Sequence, residues 1–139
     1  AQHTAEVLRP ALAAGKVVVS ERYTLATLAY QGIARGLGLS LTRKLNAVAT
    51  GRLQPDLTVV FDMPDSLFSR RDPSRAHDRL ERESAKFRAK VARAYRRLSR
   101  TEKGVVRLDA NRPPERIHAD VAALVARKLK TPHLLNSPS

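Results

Sequence analysis

Apolar residues recur along this chain with two different periods, and the alternation between the periods sets the expected architecture. Residues 2–14 carry Val7, Leu8, Ala11 and Leu12 at helical spacing, with Pro10 expected to kink the helix and Gly15 to stop it. Val17-Val18-Val19 predicts a short buried strand over 17–20. The helical period returns over 24–35, where Leu25, Leu28, Ala29 and Ile33 make an apolar stripe. Tyr23, Thr27, Tyr30 and Gln31, three and four residues apart, fall on another face. After Gly36-Leu37-Gly38, Ser40 is the expected N-cap of a helix through Thr50, with Leu41, Leu45 and Val48 inward and Gly51 closing it.

The second half repeats the alternation. LTVVFDM, residues 57–63, has few polar positions, as expected for a parallel strand covered on both faces. A helix is expected to begin at Met63-Pro64-Asp65-Ser66, followed by a charged, Pro-broken loop over 70–79. A long helix follows from about Leu80 to Arg100, with Phe87, Val91, Tyr95 and Leu98 on one face. Val105 to Leu108 forms the heart of a third strand over 105–110. Pro113 sits at the start of a last helix, with Ile117, Val121, Leu124 and Val125 in one stripe as far as Leu129. Residues 131–139, with two prolines and no periodicity, read as a disordered tail. Strands alternating with helices predict a single α/β domain over 1–130 with a parallel sheet.

Ligands of such sheets bind beyond the carboxyl ends of the strands. Three polar sets fall there: Glu21-Arg22-Tyr23, Asp62 to Asp65, and Asp109-Ala110-Asn111. The planar fork of Arg22 suits phosphate oxygens, and Glu21 can hold a Mg²⁺-bound water. Equally, the two are an ordinary charge pair at a strand end. Thr27, Tyr30 and Gln31 offer a hydroxyl, a ring and an amide suited to a flat ligand such as a nucleobase, or else a polar face turned to solvent.

Composition narrows the partners. The 139 residues carry a net charge of +13, with 26 Lys and Arg against 13 Asp and Glu. A polyanion is the natural partner of such a surface. The chain has no Cys, which excludes disulfides and thiolate metal sites, and no apolar run approaches a membrane span. No signal peptide is visible, and a cytoplasmic protein is expected. Aromatics make up 4% of the residues and fall on expected core or site positions, so nucleic acid is set below nucleotides as the partner.

At this point the residues carry a family resemblance. AQHTAEVLRPALAAGKVVVSERYTLATLAYQGIARGLGL, then LNAVATGRLQPDLTVVFDMP, HDRLERES and VVRLDANRPPERI, in this order, look like bacterial thymidylate kinase (dTMP kinase) over residues 1 to about 129. Any one of the four runs is weak alone; together they are specific. The resemblance implies a three-layer, P-loop-kinase-type parallel sheet flanked by helices. It implies phosphorylation of dTMP to dTDP by ATP with Mg²⁺, in a homodimer of the complete protein. Arg22 would bind the substrate phosphate, with Glu21 organising Mg²⁺, directly or through water, where the family usually has Asp. Thr27 and Gln31 would lie by the base, Tyr30 by the deoxyribose, and Tyr23 in the same dTMP site. Arg70, Arg71, Arg75 and Arg79 would belong to a lid over 70–79 and its flank that closes on the ATP phosphates, with Arg71 and Arg75 catalytic. Ala110, Asn111 and Pro113 would hold the adenine ring.

Phosphoryl transfer needs positioning and charge cancellation more than covalent help, which gives those arginines a purpose. The remaining arginines and lysines of the long helix, Arg88, Lys90, Arg93, Arg96 and Arg97, read as solvated surface. Departures from the family pattern are Glu21 for Asp, Leu80 where Phe or Ile is frequent, and the lack of a G-x-x-x-x-G-K-[ST] phosphate loop within these residues. PALAAGKV, 10–17, is no substitute, since it joins a helix to a strand. The chain also starts at Ala1 without Met, so an N-terminal portion carrying that loop is expected upstream, and the 139 residues alone are expected to have little or no kinase activity. The alternatives are a deoxynucleoside kinase, some of which carry an ERS-type motif, and a non-catalytic basic fragment that binds nucleic acid.

Overall fold

The computed structural model describes residues 2–64, 67 and 85–130. The chain divides into two compact units, Ala1–Pro55 and Asp56–Ser139. The expected helix start at Asp65 and Ser66, the loop over 70–79, the first turn of the long helix from Leu80 and the tail 131–139 lie outside the described residues.

The first unit is helical. Helix α1 is π-wound over Thr4–Leu8 and α-wound over Arg9–Ala13. Pro10 has no N–H to donate and its ring would crowd the carbonyl four residues back; the wider π turn just before it relieves both. The amide of Arg9 accordingly donates to the Thr4 carbonyl. Gly15, at φ +73°, ends the helix as its sequence position predicts. Lys16 N–H bonds the Ala11 carbonyl at 3.0 Å and Gly15 N–H that of Leu12 at 2.9 Å, the paired closing bonds of a Schellman motif.

Helix α2 is α-wound over Thr24–Thr27 and π-wound over Leu28–Ala34. Its Leu25, Leu28 and Ala29 are buried, as the apolar stripe predicts. Helix α3, Leu39–Thr50, ends like α1: Arg52 N–H reaches the Ala47 carbonyl at 2.8 Å and Gly51 N–H that of Val48 at 3.2 Å. The Arg9 guanidinium of α1 adds bonds to the Thr50 and Gly51 carbonyls at 3.3 and 2.7 Å, placing a positive charge at the negative end of α3.

The first unit corrects several expectations. Residues 16–20 form no strand; Val17 and Val19 are 64% and 93% exposed, and no ladder pairs with them among the described residues. A strand is a relation between two segments, so a β-branched run alone does not make one. Of Val7, Leu8, Ala11 and Leu12, only Leu8 is buried. Helix α3 starts at Leu39 behind Gly38, not at an Ser40 cap: Gly38 has φ +84°, and Thr42 Oγ1 donates to its carbonyl at 2.7 Å. Leu41, Leu45 and Val48 point out rather than in, while Thr42 and Thr50 are buried.

The second unit is α/β. Strand β1, Thr58–Asp62, pairs in parallel with β2, Val105–Asp109, from Thr58↔Val105 to Asp62↔Asp109. Helix α4, Ala85–Thr101, lies between them in sequence and packs on both strands, with Val91, Ala94 and Leu98 buried. Helix α5, Pro114–Leu129, closes the described chain and begins behind Pro113 as expected. Cover on both faces is not complete for β1, because Phe61 is 58% exposed.

Candidate functional site

The two units each carry one part of the expected site chemistry. In the first, the turn from residue 20 into α2 is built around Arg22. Its φ of +54° is uncommon for a side chain of this size and costs of order 1 kcal/mol. That conformation swings the side chain back over its own helix, where the Arg22 guanidinium carbon lies 5.7 Å from the centre of the Tyr30 ring. The exposed guanidinium is thus held by a cation–π contact and keeps its N–H fork for a ligand.

Tyr23 turns the other way. Its hydroxyl lies 3.3 Å from Thr4 Oγ1, and it donates to the Leu53 carbonyl at 3.4 Å. It therefore ties α1 and the segment after α3 to the base of α2. Asn46 secures the same end, donating from Nδ2 to the Thr24 carbonyl at 3.0 Å. Thr27, Tyr30 and Gln31 are all half-buried, and Gln31 Oε1 accepts a 3.3 Å bond from Arg35. Tyr30 and Gln31 stand in the π-wound part of α2, a winding found disproportionately at functional sites. The π turn also rotates these side chains away from where a regular α period would put them. Glu21 is exposed beside Arg22 and makes no ion pair among the described residues.

In the second unit a cleft of about 380 Å³ opens at the carboxyl ends of β1 and β2, lined by Asp62, Met63, Pro64, Arg96, Arg107 and Asp109. Asp62 is its centre. Arg96 Nε reaches both carboxylate oxygens, at 3.1 and 2.9 Å, and Nη2 adds a bond of 3.0 Å. Arg107 Nη1 donates a further bond of 3.2 Å. The Asp62 carbonyl accepts from Ala110 N–H at 2.8 Å, so the same residue fixes the loop leaving β2. Asp109 Oδ1 then caps Asn111 N–H at 2.8 Å, and Arg112 donates to the Asp109 carbonyl at 3.2 Å while pairing with Asp120. Asn111 and Pro113 are exposed on this loop.

Arg96 is the residue that sequence patterning missed. It reads as solvated surface on a basic helix, yet it chelates a strand-end carboxylate. The available signal was Asp62 itself, an acid ending an apolar strand with an arginine-rich helix to follow. Arg70, Arg71, Arg75 and Arg79 lie outside the described residues.

The hydrogen bond from Arg96, more than any other cause, holds the Asp62 carboxyl below its ordinary 3.8. A depressed carboxyl contributes stability that is fully present above its unfolded value and lost as pH falls through the folded one. Because the partners are 38% and 21% exposed, solvent screening trims the contribution to about 1 kcal/mol. Asp62→Asn is therefore expected to be less stable than the parent at pH 7, with the gap closing below about pH 4. Urea denaturation from pH 7 to 2.5 measures it; a gap independent of pH contradicts the assignment.

Comparison with known proteins bears on both units. Residues 1–121 match the family model described as Thymidylate kinase. A thymidylate kinase of a Synechococcus strain is 42% identical over 130 residues, covering 93% of this chain and 62% of that protein. One from Desulforudis audaxviator is 50% identical over 104 residues, covering 74% of this chain and 47% of its own length. For one from Desulfovibrio desulfuricans the figures are 44% over 124 residues, 83% and 57%. The chain thus spans 47–62% of the length of these three relatives.

Proposed function

The chain belongs to the thymidylate kinase family, and on that premise we propose that it carries the dTMP side and the adenine loop of an enzyme that transfers the γ-phosphoryl group of ATP to dTMP. The observation that carries this reading is Arg22, held at positive φ over Tyr30 with its fork exposed at the head of α2. A phosphate monoester seated on that fork places its sugar against the Tyr30 ring and its base toward Thr27 and Gln31. Tyr23 serves this site through its ties to Thr4 and Leu53, which fix the base of the helix.

In the reaction an oxygen of the dTMP phosphate attacks the γ-phosphorus of ATP, the bond to the bridging oxygen breaks, and ADP leaves. Arg22 orients the attacking phosphate and offsets its charge. Arg71 and Arg75, with Arg70 and Arg79, supply positive charge to the ATP phosphates from the segment after β1. Ala110, Asn111 and Pro113 form the adenine loop, whose start is fixed by the Asp62 carbonyl.

Mg²⁺ fits the donor set. An octahedral ion that keeps several waters takes one or two carboxylates along with substrate phosphates, and Glu21 is an exposed carboxylate next to the phosphate-binding arginine. Bound with ATP, the ion neutralises charge on the transferring group. A homodimer working in the cytoplasm completes the proposal. Among the described residues no helix is long and apolar enough to cross a membrane.

Isothermal titration with dTMP, thymidine and dCMP tests the reading on this chain. dTMP is expected to bind at least 10-fold more tightly than thymidine, since the fork of Arg22 has no partner in the nucleoside. Equal affinity for the two, or none for dTMP, overturns it.

A further inference from the structure

We propose that the outer face of α4 is a docking surface for the phosphate backbone of a nucleic acid. The solvent-facing positions of this helix form one row. From Lys86 to Arg100 its exposed residues are Lys86, Lys90, Arg93, Arg97 and Arg100, and every one is basic. They follow one another at intervals of four, three, four and three, which on a helix is a single stripe about 21 Å long. No acidic residue stands anywhere in Ala85–Thr101, and none of the five enters an ion pair among the described residues. The contrast with Arg96 on the same helix is informative. It turns inward to Asp62 and is neutralised, whereas the stripe has no acidic partner among the described residues.

Solubility alone does not call for such an arrangement. Neighbouring like charges at these spacings work against the helix, and one glutamate in the row would relieve them. The row also has a contour. A groove of about 390 Å³ runs among Arg93, Arg96, Arg97, Arg100 and Thr101, with three guanidiniums of the stripe along it. Guanidinium forks match phosphate oxygens, and charges about 5 Å apart in a straight line suit a polymer of phosphates better than a single small anion.

A membrane surface fits less well. An interfacial helix sinks an apolar face among the lipids, but the apolar face of α4 is occupied by its own fold through Val91, Ala94 and Leu98. No aromatic residue lies among the exposed positions, so bases have nothing to stack on. Recognition is therefore of the backbone, independent of sequence, with duplex bound at least as well as single strand. Sparse aromatics argue against a base-reading surface; they do not bear on one that reads phosphates alone.

Fluorescence anisotropy of a labelled 20-base-pair duplex and a 20-nucleotide single strand, titrated with the 139-residue chain at 50 and 200 mM salt, is the test. Five phosphate contacts predict an affinity about 100- to 500-fold lower at the higher salt. A variant with all five stripe residues changed to Gln is expected to lose at least 10-fold in affinity at 50 mM. A control with Lys16, Lys44, Lys103, Lys128 and Lys130 changed to Gln, equal in charge and also at exposed positions, is expected to lose less than 3-fold. Circular dichroism verifies that both variants fold, and dTMP titration should be unchanged in the stripe variant. Equal losses in the two variants, no binding by the parent chain, or binding to phosphatidylserine vesicles in preference to duplex would each overturn the proposal.

Discussion

Replacing Arg22 with glycine is expected to weaken dTMP binding by about 10- to 100-fold while leaving stability within about 1 kcal/mol of the parent. The two readouts are expected to separate because the residue does two opposed things. In the proposed dTMP site its guanidinium is the donor fork for the phosphate, and a charge-assisted, bidentate contact is worth about 1.5–3 kcal/mol. Its backbone, at φ +54°, is in a region that a side chain occupies at a cost and glycine occupies freely. Glycine therefore removes the ligand contact and the cation–π contact with Tyr30, and relieves the strain that held both. Thymidine binding should change little. Arg22→Lys keeps the charge but loses the fork, and should fall between parent and glycine. Titration of dTMP with parallel urea denaturation reads both quantities. If Arg22→Gly unfolds the chain, or binds dTMP as the parent does, the residue is a structural pin and the assignment fails.

The helices and the two strand runs were legible because their signals are local. Gly15 and Gly51 close α1 and α3 at the points their sequence positions suggest, since a left-handed terminus is a property of one residue and its neighbours. The stripe Leu25, Leu28, Ala29 places α2, and the runs around Val59 and Val106 place β1 and β2. The candidate site was legible as a set of residue types. Arg22 stands directly after a β-branched run, and Thr27, Tyr30 and Gln31 share one face of the helix that follows. What patterning could not supply was the device that joins them, a positive φ followed by a π-wound segment.

The failures share a cause: each concerns a relation between distant residues. Val17 to Val19 has strand character, but a ladder needs a second segment, and none pairs with it here among the described residues. Arg96 and Lys90 look alike in a basic helix; only the position of Asp62 across the unit separates a chelating arginine from a solvated lysine. On α3, hydrophobicity nominates Leu41, Leu45 and Val48 for the interior. The interior instead takes Thr42, 1% exposed, and Thr50, whose hydroxyls return bonds to the Gly38 and Asn46 carbonyls at 2.7 and 2.9 Å. A close approach of two helices selects for small side chains with their polar atoms satisfied, and transfer energy does not register that.

That close approach yields the other large expected effect. Gly32→Val is expected to destabilise the chain by about 3 kcal/mol, and Gly32→Ala by about 1–2 kcal/mol. Gly32 is buried in the π-wound part of α2, facing α3. A methyl group built there would sit 3.1 Å from Thr42 Oγ1 and 3.4 Å from both Thr42 Cβ and Leu39 Cδ2. Thr42 cannot give way cheaply, because it is enclosed and its hydroxyl satisfies the Gly38 carbonyl at the start of α3. Alanine gains about 1 kcal/mol of helix propensity over glycine, which offsets part of the overlap; valine adds bulk without that gain. The cause can be isolated by a double-mutant cycle. Thr42→Ala removes Oγ1, so Gly32→Ala should be nearly neutral, or slightly stabilising, in that background, with a coupling of about 1 kcal/mol or more. Urea denaturation of the four chains measures the cycle. Additive effects would show that Gly32 is required for the π winding itself and not for contact with α3. In that case Gly32→Ala should lower dTMP affinity in both backgrounds alike, since Gln31 and Tyr30 would lose the winding that orients them.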